Sequence, residues 1–234
     1  MRMKLILMAV AVLAVVVMMM APRWTAAHAS LQQKVRPQQA PLFDARSFAG
    51  WEGDLKMFRI ERGAIVGGTL QADVPRNEFL CTRREYANFT LRLKFKLLGA
   101  GANAGVQFRS QRIAGDHEVI GYQADLGDGW WGSLYDESRR NVTLAKPDAA
   151  ALIKSALRKN DWNSYEIRAD GPRVQLRVND TETVDYTEQD KNIIQKGVIC
   201  LQIHGGKPSE AWYKDISIAE LPQRRRTTSA IAIG

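Results

Sequence analysis

Apolar and polar residues alternate with a period of two along most of this chain. The clearest run is Phe89-Thr90-Leu91-Arg92-Leu93-Lys94-Phe95-Lys96-Leu97, with odd positions apolar and even positions polar or charged. Successive side chains of a strand point to opposite faces, so this run predicts a half-buried strand. Val174–Val178 repeats the pattern, and Tyr165–Arg168 precedes it across Asp170-Gly171, which predicts a hairpin. Further strands are predicted over 57–61, 64–71, 78–83, 104–110, 117–126, 132–135, 197–204 and 212–219, most of them punctuated by Gly, Asn or Asp. Ala149 to Lys159 reads as a helix with Asp148 as its N-cap. About ten or more short strands joined by tight turns predict an all-β, two-sheet antiparallel β-sandwich of jelly-roll type.

The ends break the pattern. Arg2 and Lys4 precede a continuous apolar run, Leu5–Met20, and Ala27-His28-Ala29 supplies a small-residue cleavage site. The run falls short of the roughly 20 residues a spanning helix needs. Residues 1–29 are therefore expected to be a secretory signal, leaving no stable membrane insertion once cleaved. An uncleaved N-terminal anchor is the alternative. Either way the folded part is expected outside the cytoplasm, periplasmic or extracellular. Residues 30–40 read as a linker, 41–221 as one β-sandwich domain, and 222–234 as a disordered basic tail opened by Arg224-Arg225-Arg226.

Charge and cysteine content narrow the function. The formal net charge is +8, but Arg2, Lys4, Arg23 and the tail arginines carry most of it. The domain itself is close to neutral with signs interspersed, which argues against a nucleic-acid surface. The two cysteines, Cys81 and Cys200, each sit in an apolar strand-like run. They are expected to be separately buried thiols, although an oxidising compartment would permit a bridge.

The segment 117–140 concentrates the candidate chemistry. It sets His117, Glu118, Gln123, Asp125, Asp136, Glu137, Arg139 and Arg140 among Tyr122, Trp130, Trp131 and Tyr135. Aromatic faces beside carboxylates, amides and guanidinia suit a polyhydroxylated ligand such as a sugar. Strand parity extends this set. Gln107 and Arg109 share a face, Gln123 and Asp125 share one with His117 unless a bulge intervenes, and Cys200, Gln202 and His204 share another. If these strands are neighbours in one sheet, Arg109, Gln123, Asp125, Gln202 and His204 converge in a groove bordered by the loop carrying Trp131, Tyr135 and Glu137.

The same residues carry a resemblance. Leu42-Phe43-Asp44 with Gly50-Trp51, Phe79–Thr82, Tyr86–Leu91, Ala102–Arg109, Gly121–Asp125, Gly132–Tyr135, Trp162-Asn163 and Gly197–Gly205 stand in the order of motifs of the 3-keto-disaccharide hydrolase domain family. The chain resembles that family over roughly 41–221, with Ala104 where the family carries serine. The resemblance implies a concanavalin A-like jelly roll acting on 3-keto-glycosides, in which a C3 carbonyl acidifies the C2 proton. A base removes that proton, the C1 substituent leaves by elimination, and water adds back. This chemistry needs a base, an electrophile for the enolate oxygen and an acid. His117, Glu118 or His204 is the expected base, Arg109 the enolate partner and Glu137 the proton donor. Gln107, Arg140 and Gln202 are expected to bind hydroxyls, Gln123 and Asp125 to bind hydroxyls or a cation, and Trp131 and Tyr135 to stack on the ring. A divalent metal ion could serve as the electrophile. A non-catalytic carbohydrate-binding module on the same sandwich is the alternative.

Overall fold

The structure, a computed structural model, describes residues 38–222. The expected signal segment, most of the linker and nearly all of the basic tail lie outside these residues. Among the described residues, no helix is long and apolar enough to cross a membrane.

The strands in chain order are β1 (Ala40–Pro41), β2 (Trp51–Glu52), β3 (Phe58–Glu61), β4 (Ala64–Thr69), β5 (Glu78–Thr82), β6 (Phe89–Leu98), β7 (Asn103–Arg112), β8 (Val119–Gly127), β9 (Leu134–Glu137) and β10 (Val142–Ala145). A short helix, α1 (Ala149–Lys154), precedes β11 (Asn163–Asp170), β12 (Arg173–Val178), β13 (Thr181–Thr187), β14 (Val198–Ile203) and β15 (Ser209–Glu220). They form two antiparallel sheets. The first runs β13-β12-β11-β6-β15-β4-β3, with β1 also on β15; the second runs β10-β9-β8-β7-β14-β5-β2. The expected two-sheet sandwich is the observed fold.

The core lies between the sheets and follows the alternation of the sequence. Phe89, Leu91, Leu93, Phe95 and Leu97 of β6 are buried, while Arg92 and Lys94 between them are exposed. They meet Val106 and Phe108 of β7, Tyr122, Ala124 and Leu126 of β8, and Ile199, Leu201 and Ile203 of β14. Each such side chain contributes about 1.5–3 kcal/mol by leaving water. Phe89 and Phe108 meet edge to face across the two sheets, 6.4 Å between centroids.

Two sequence expectations are corrected. Cys81 and Cys200 are not separate thiols. They stand directly opposite each other in the β5–β14 register and are joined by a disulfide. Each sits in an apolar run as expected, but only the strand order makes β5 and β14 neighbours. The helix stops at Lys154, short of Lys159. Asp148 does cap it, accepting from the Ala151 N–H, and Ala156 with φ 49° ends the helical path.

Candidate active site

The face of the second sheet turned away from the core is unusually polar in its middle. Tyr135, Gln123, Gln107, Cys200 and Cys81 follow one another as register partners across β9, β8, β7, β14 and β5. Asp125, Gly105, Gln202 and Phe79 form the next row. Strand parity thus brings Gln107, Gln123, Asp125 and Gln202 together, and His204 follows Gln202 at the end of β14.

A glycine makes the arrangement possible. A Cβ at Gly105 would lie 2.5 Å from Gln123 Cδ, so the Gln123 side chain crosses β7 where there is no side chain to stop it. It lies in a chain of buried hydrogen bonds. Ser110 Oγ donates to Gln107 Oε1 at 3.0 Å, Gln107 Nε2 to Gln123 Oε1 at 2.7 Å, and Gln123 Nε2 to Asp125 Oδ1 at 2.7 Å. An ionised carboxylate only accepts, which fixes the orientation of both amides. Gln107 and Gln202 are fully buried beneath this layer.

Above it opens a cavity of ≈ 210 Å³ lined by Gln123, Asp125, Tyr135, Glu137 and His204, with Asn77, Asn103 and Trp130. Burial pushes the Asp125 carboxyl up to about 7; the Gln123 hydrogen bond opposes this and the Glu137 charge adds to it. Glu137 is also pushed up to about 7, by burial and then by the charges of Glu118 and Asp136. Burial, then the charges of Glu137, Asp125 and Asp136, hold the Tyr135 hydroxyl above its ordinary value, so it stays a donor. His204 Nδ1 lies 2.7 Å from the Gly205 carbonyl. A carbonyl only accepts, so Nδ1 carries a proton, and in the neutral ring Nε2 then has a lone pair to offer.

Other expected site residues stand elsewhere. Arg109 does not line the cavity. The β7–β8 register slips between Phe108 and Gln111, and Arg109 sits in that bulge with φ 49°. The bulge swings its side chain off the polar face. The guanidinium donates to the carbonyls of Ala87 (2.8 Å) and Gly171 (2.7 Å), to Asn88 Oδ1 (3.0 Å) and to Gln195. Gly171 belongs to the β11–β12 turn, so Arg109 ties the two sheets together. Burial draws its pKa down to about 10. Arg140 is engaged by Asp136 and, at 2.7 Å, by Glu188, which also accepts from the Tyr122 hydroxyl at 2.7 Å.

Trp131 packs inward, stacked on Phe95 with 6.1 Å between centroids and its Nε1 bonded to Asp128. Its neighbour Trp130 takes the cavity rim, with Lys146 Nζ 4.9 Å from its ring centroid. His117 and Glu118 belong to the tip of the β7–β8 hairpin, which curls over its own sheet. Val119 there packs with Phe79, Cys81 and Cys200. Glu118 Oε1 accepts from Asn77 Nδ2 at 3.1 Å, and His117 lines a neighbouring cavity. Among the described residues, no three His, Cys, Asp or Glu side chains cluster to hold a metal ion.

Sequence alone assigns neither Asn77 nor Asn103 to the site, and it names Trp130 only among the aromatics of the 117–140 segment, with Trp131 expected to stack. Asn103 opens the Asn103-Ala104-Gly105 stretch and was within reach. Asn77 lies before a strand with no alternation to place it, and the choice between adjacent tryptophans depends on the turn.

The fold has known counterparts. A proposed glycosyl hydrolase from Parabacteroides distasonis superposes with a TM-score of 0.61 at 20% identity, covering 79% of this chain and 94% of that one. The carbohydrate-binding module CBM66 from Bacillus subtilis gives 0.57 at 13% identity, over 73% and 96% of the two chains. A galectin-like B. subtilis protein of unknown function gives 0.59 at 12%, over 80% and 96%. At these identities the likeness is one of fold. No curated protein sequence matches the chain. A family model does, over residues 38–219, which is nearly all that the structure describes: the chain belongs to the 3-keto-alpha-glucoside-1,2-lyase-like domain family.

Proposed function

We propose that this protein cleaves 3-keto-glycosides by elimination followed by hydration. The observation that carries the reading is the pair Asp125 and Glu137, two carboxyls lining one cavity and both pushed up to about 7. Near neutral pH such a pair holds about one proton between its members, and the two titrations belong to the pair. The Gln123 amide favours the Asp125 carboxylate, so Asp125 is the base and Glu137 the acid. Asp125 takes the C2 proton, and the electrons pass to the C3 oxygen, where the Tyr135 hydroxyl donates. The C3 carbonyl then re-forms, C1=C2 closes, the C1–O bond breaks, and Glu137 protonates the leaving oxygen. Addition of water across C1=C2 completes a net hydrolysis. His204 Nε2 accepts from a ring hydroxyl, and Trp130 supplies an apolar face.

Family membership and the glycosyl-hydrolase and carbohydrate-binding counterparts support a sugar ligand. The Cys81–Cys200 bridge supports the expected export, since disulfides persist in oxidising compartments. The test is incubation of the full chain with 3-keto-trehalose, with and without chelator, beside unoxidised trehalose. Release of sugar from the keto form alone is expected. Equal cleavage of trehalose would overturn the elimination, because its C2 proton is not acidic. Binding without product would favour the carbohydrate-binding module, a reading that the CBM66 likeness supports.

A further inference from the structure

Asn77 lies in the loop that enters β5 and lines the cavity of Asp125 and Glu137. The β5–β14 register pairs Glu78 with Ile203, so Asn77 stands just beyond the ladder, level with His204. Its amide is used at both ends. Nδ2 donates to Glu118 Oε1 at 3.1 Å, and Oδ1 accepts from the Gly205 N–H at 3.0 Å. A carboxylate only accepts and a peptide N–H only donates, so the amide has one orientation. The Gly205 carbonyl in turn accepts from His204 Nδ1 at 2.7 Å. The surroundings favour this contact. Val74 and Gly206 exchange backbone hydrogen bonds of 2.9 and 2.8 Å, which lay residues 74–77 along residues 204–206. A Cβ at Gly205 would lie 2.7 Å from Arg76 Cα, so glycine is what lets the two backbones come this close. On the other side, the His204 N–H donates to the Asn103 carbonyl at 3.1 Å.

We infer that Asn77 is a positioning residue of the site. Anchored by Glu118, it fixes the Gly205 peptide, and through the Gly205 carbonyl it holds His204 as the Nδ1–H tautomer with Nε2 free to accept. The β5–β14 ladder has ended at Ile203, so the Gly205 N–H takes a side chain as its partner. That side chain is the link between the tip of the β7–β8 hairpin and the end of β14. A hydrogen bond to a carboxylate is stronger than one between neutral groups, and each bond of a chain polarises the next. The relay from Glu118 through Asn77 and Gly205 to His204 thus parallels the chain of Gln107 and Gln123 that ends at Asp125. Its consequence for turnover rests on the function proposed above, in which His204 Nε2 accepts from a ring hydroxyl. The tautomer itself does not.

Two measurements on the full-length chain test this. The first is the ¹⁵N spectrum of the neutral imidazoles, with His204 assigned by its absence from His204→Ala. The wild type is expected to show the Nδ1–H tautomer at His204, and Asn77→Ala a mixture with the Nε2–H form. The wild-type tautomer retained in Asn77→Ala would overturn the inference. The second is kinetics on 3-keto-trehalose. Asn77→Ala is expected to lose about tenfold in kcat/KM, chiefly through KM, the size of one hydrogen bond. In a His204→Ala background the same substitution should cost no more than about twofold, because a residue that acts through His204 then has nothing to position. Equal losses in both backgrounds, or none in either, would refute the link to His204. Asn77→Ser, too short to reach Gly205 and Glu118 together, replaces Asn77→Ala in both measurements if that variant does not fold. Should the wild-type chain release no sugar from 3-keto-trehalose, the proposed reaction falls, and the tautomer alone decides whether Asn77 positions His204.

Discussion

At the scale of single residues, the site depends on carboxyls kept near neutrality by burial. Asp125→Asn preserves shape and removes the proposed base, so kcat for a 3-keto-glycoside is expected to fall by about 10²–10⁴. Glu137→Gln should act most strongly on substrates with poor leaving groups, since the proton it gives matters most there. With one member of the pair ionised and the other protonated, the kcat/KM profile should be bell-shaped and centred near pH 7. A flat profile between pH 5 and 9 would remove the pair from the mechanism. Gly105→Ala tests how Asp125 is held. The added methyl meets Gln123 Cδ at 2.5 Å, so Gln123 must leave its place. The expected outcome is a kcat reduced by about tenfold or more with KM nearly unchanged, because misplacing a catalytic group costs rate. Unaltered kcat would show that the amide chain is dispensable.

At the scale of elements, alternation in β6, β11 and β12 read directly as strands with the correct inner face, because one face of each meets a dry core and the other meets water. Parity on β8 and β14 likewise placed Gln123, Asp125, Gln202 and His204 on one side. What sequence left illegible is where the register slips and which strands pair. One bulge in β7 redirected Arg109 into an inter-sheet clamp, and no residue type before it announces the slip. The edge strands β10 and β13 carry little apolar alternation, since edge strands bury less, and neither was predicted. The disulfide was hidden for the same reason, since pairing of β5 with β14 spans a sequence separation of 119. Closing a loop of that length restricts the unfolded chain by about 4–5 kcal/mol. Cys81→Ser with Cys200→Ser should therefore lower the unfolding free energy by up to that amount, with the site intact below the new Tm. Thiol counting on the denatured wild type should find no free thiol, and two would refute the bridge.

At the scale of the whole molecule, the proposed catalytic pair and the fold favour different pH. Asp125 has a folded-state pKa of about 7 against an ordinary 3.8. A group raised on folding makes its full contribution to stability below about 4, where both states hold the proton, and that contribution is lost as pH climbs from about 4 through 7, where the native state alone holds it. Asp44 works in the opposite sense. At the surface, the Ser47 side chain and the Arg46 and Ser47 N–H groups draw it down to about 2, so its contribution is present above about 4 and fades as pH falls toward 2. Wild-type stability should consequently peak on the acid side of neutrality, whereas turnover peaks near 7. For Asp125 the loss by pH 8 is at most about 4 kcal/mol, and less to the extent that the open cavity hydrates the carboxylate. Asp125→Asn cannot ionise there, so it should unfold at higher temperature than wild type at pH 8 and at nearly the same temperature at pH 4.5. Calorimetric scans of both proteins at the two pH values check this. A variant less stable than wild type at pH 8 would mean that the carboxylate is well solvated or better paired than its burial indicates, and Asp125 would then not be a base poised near neutrality.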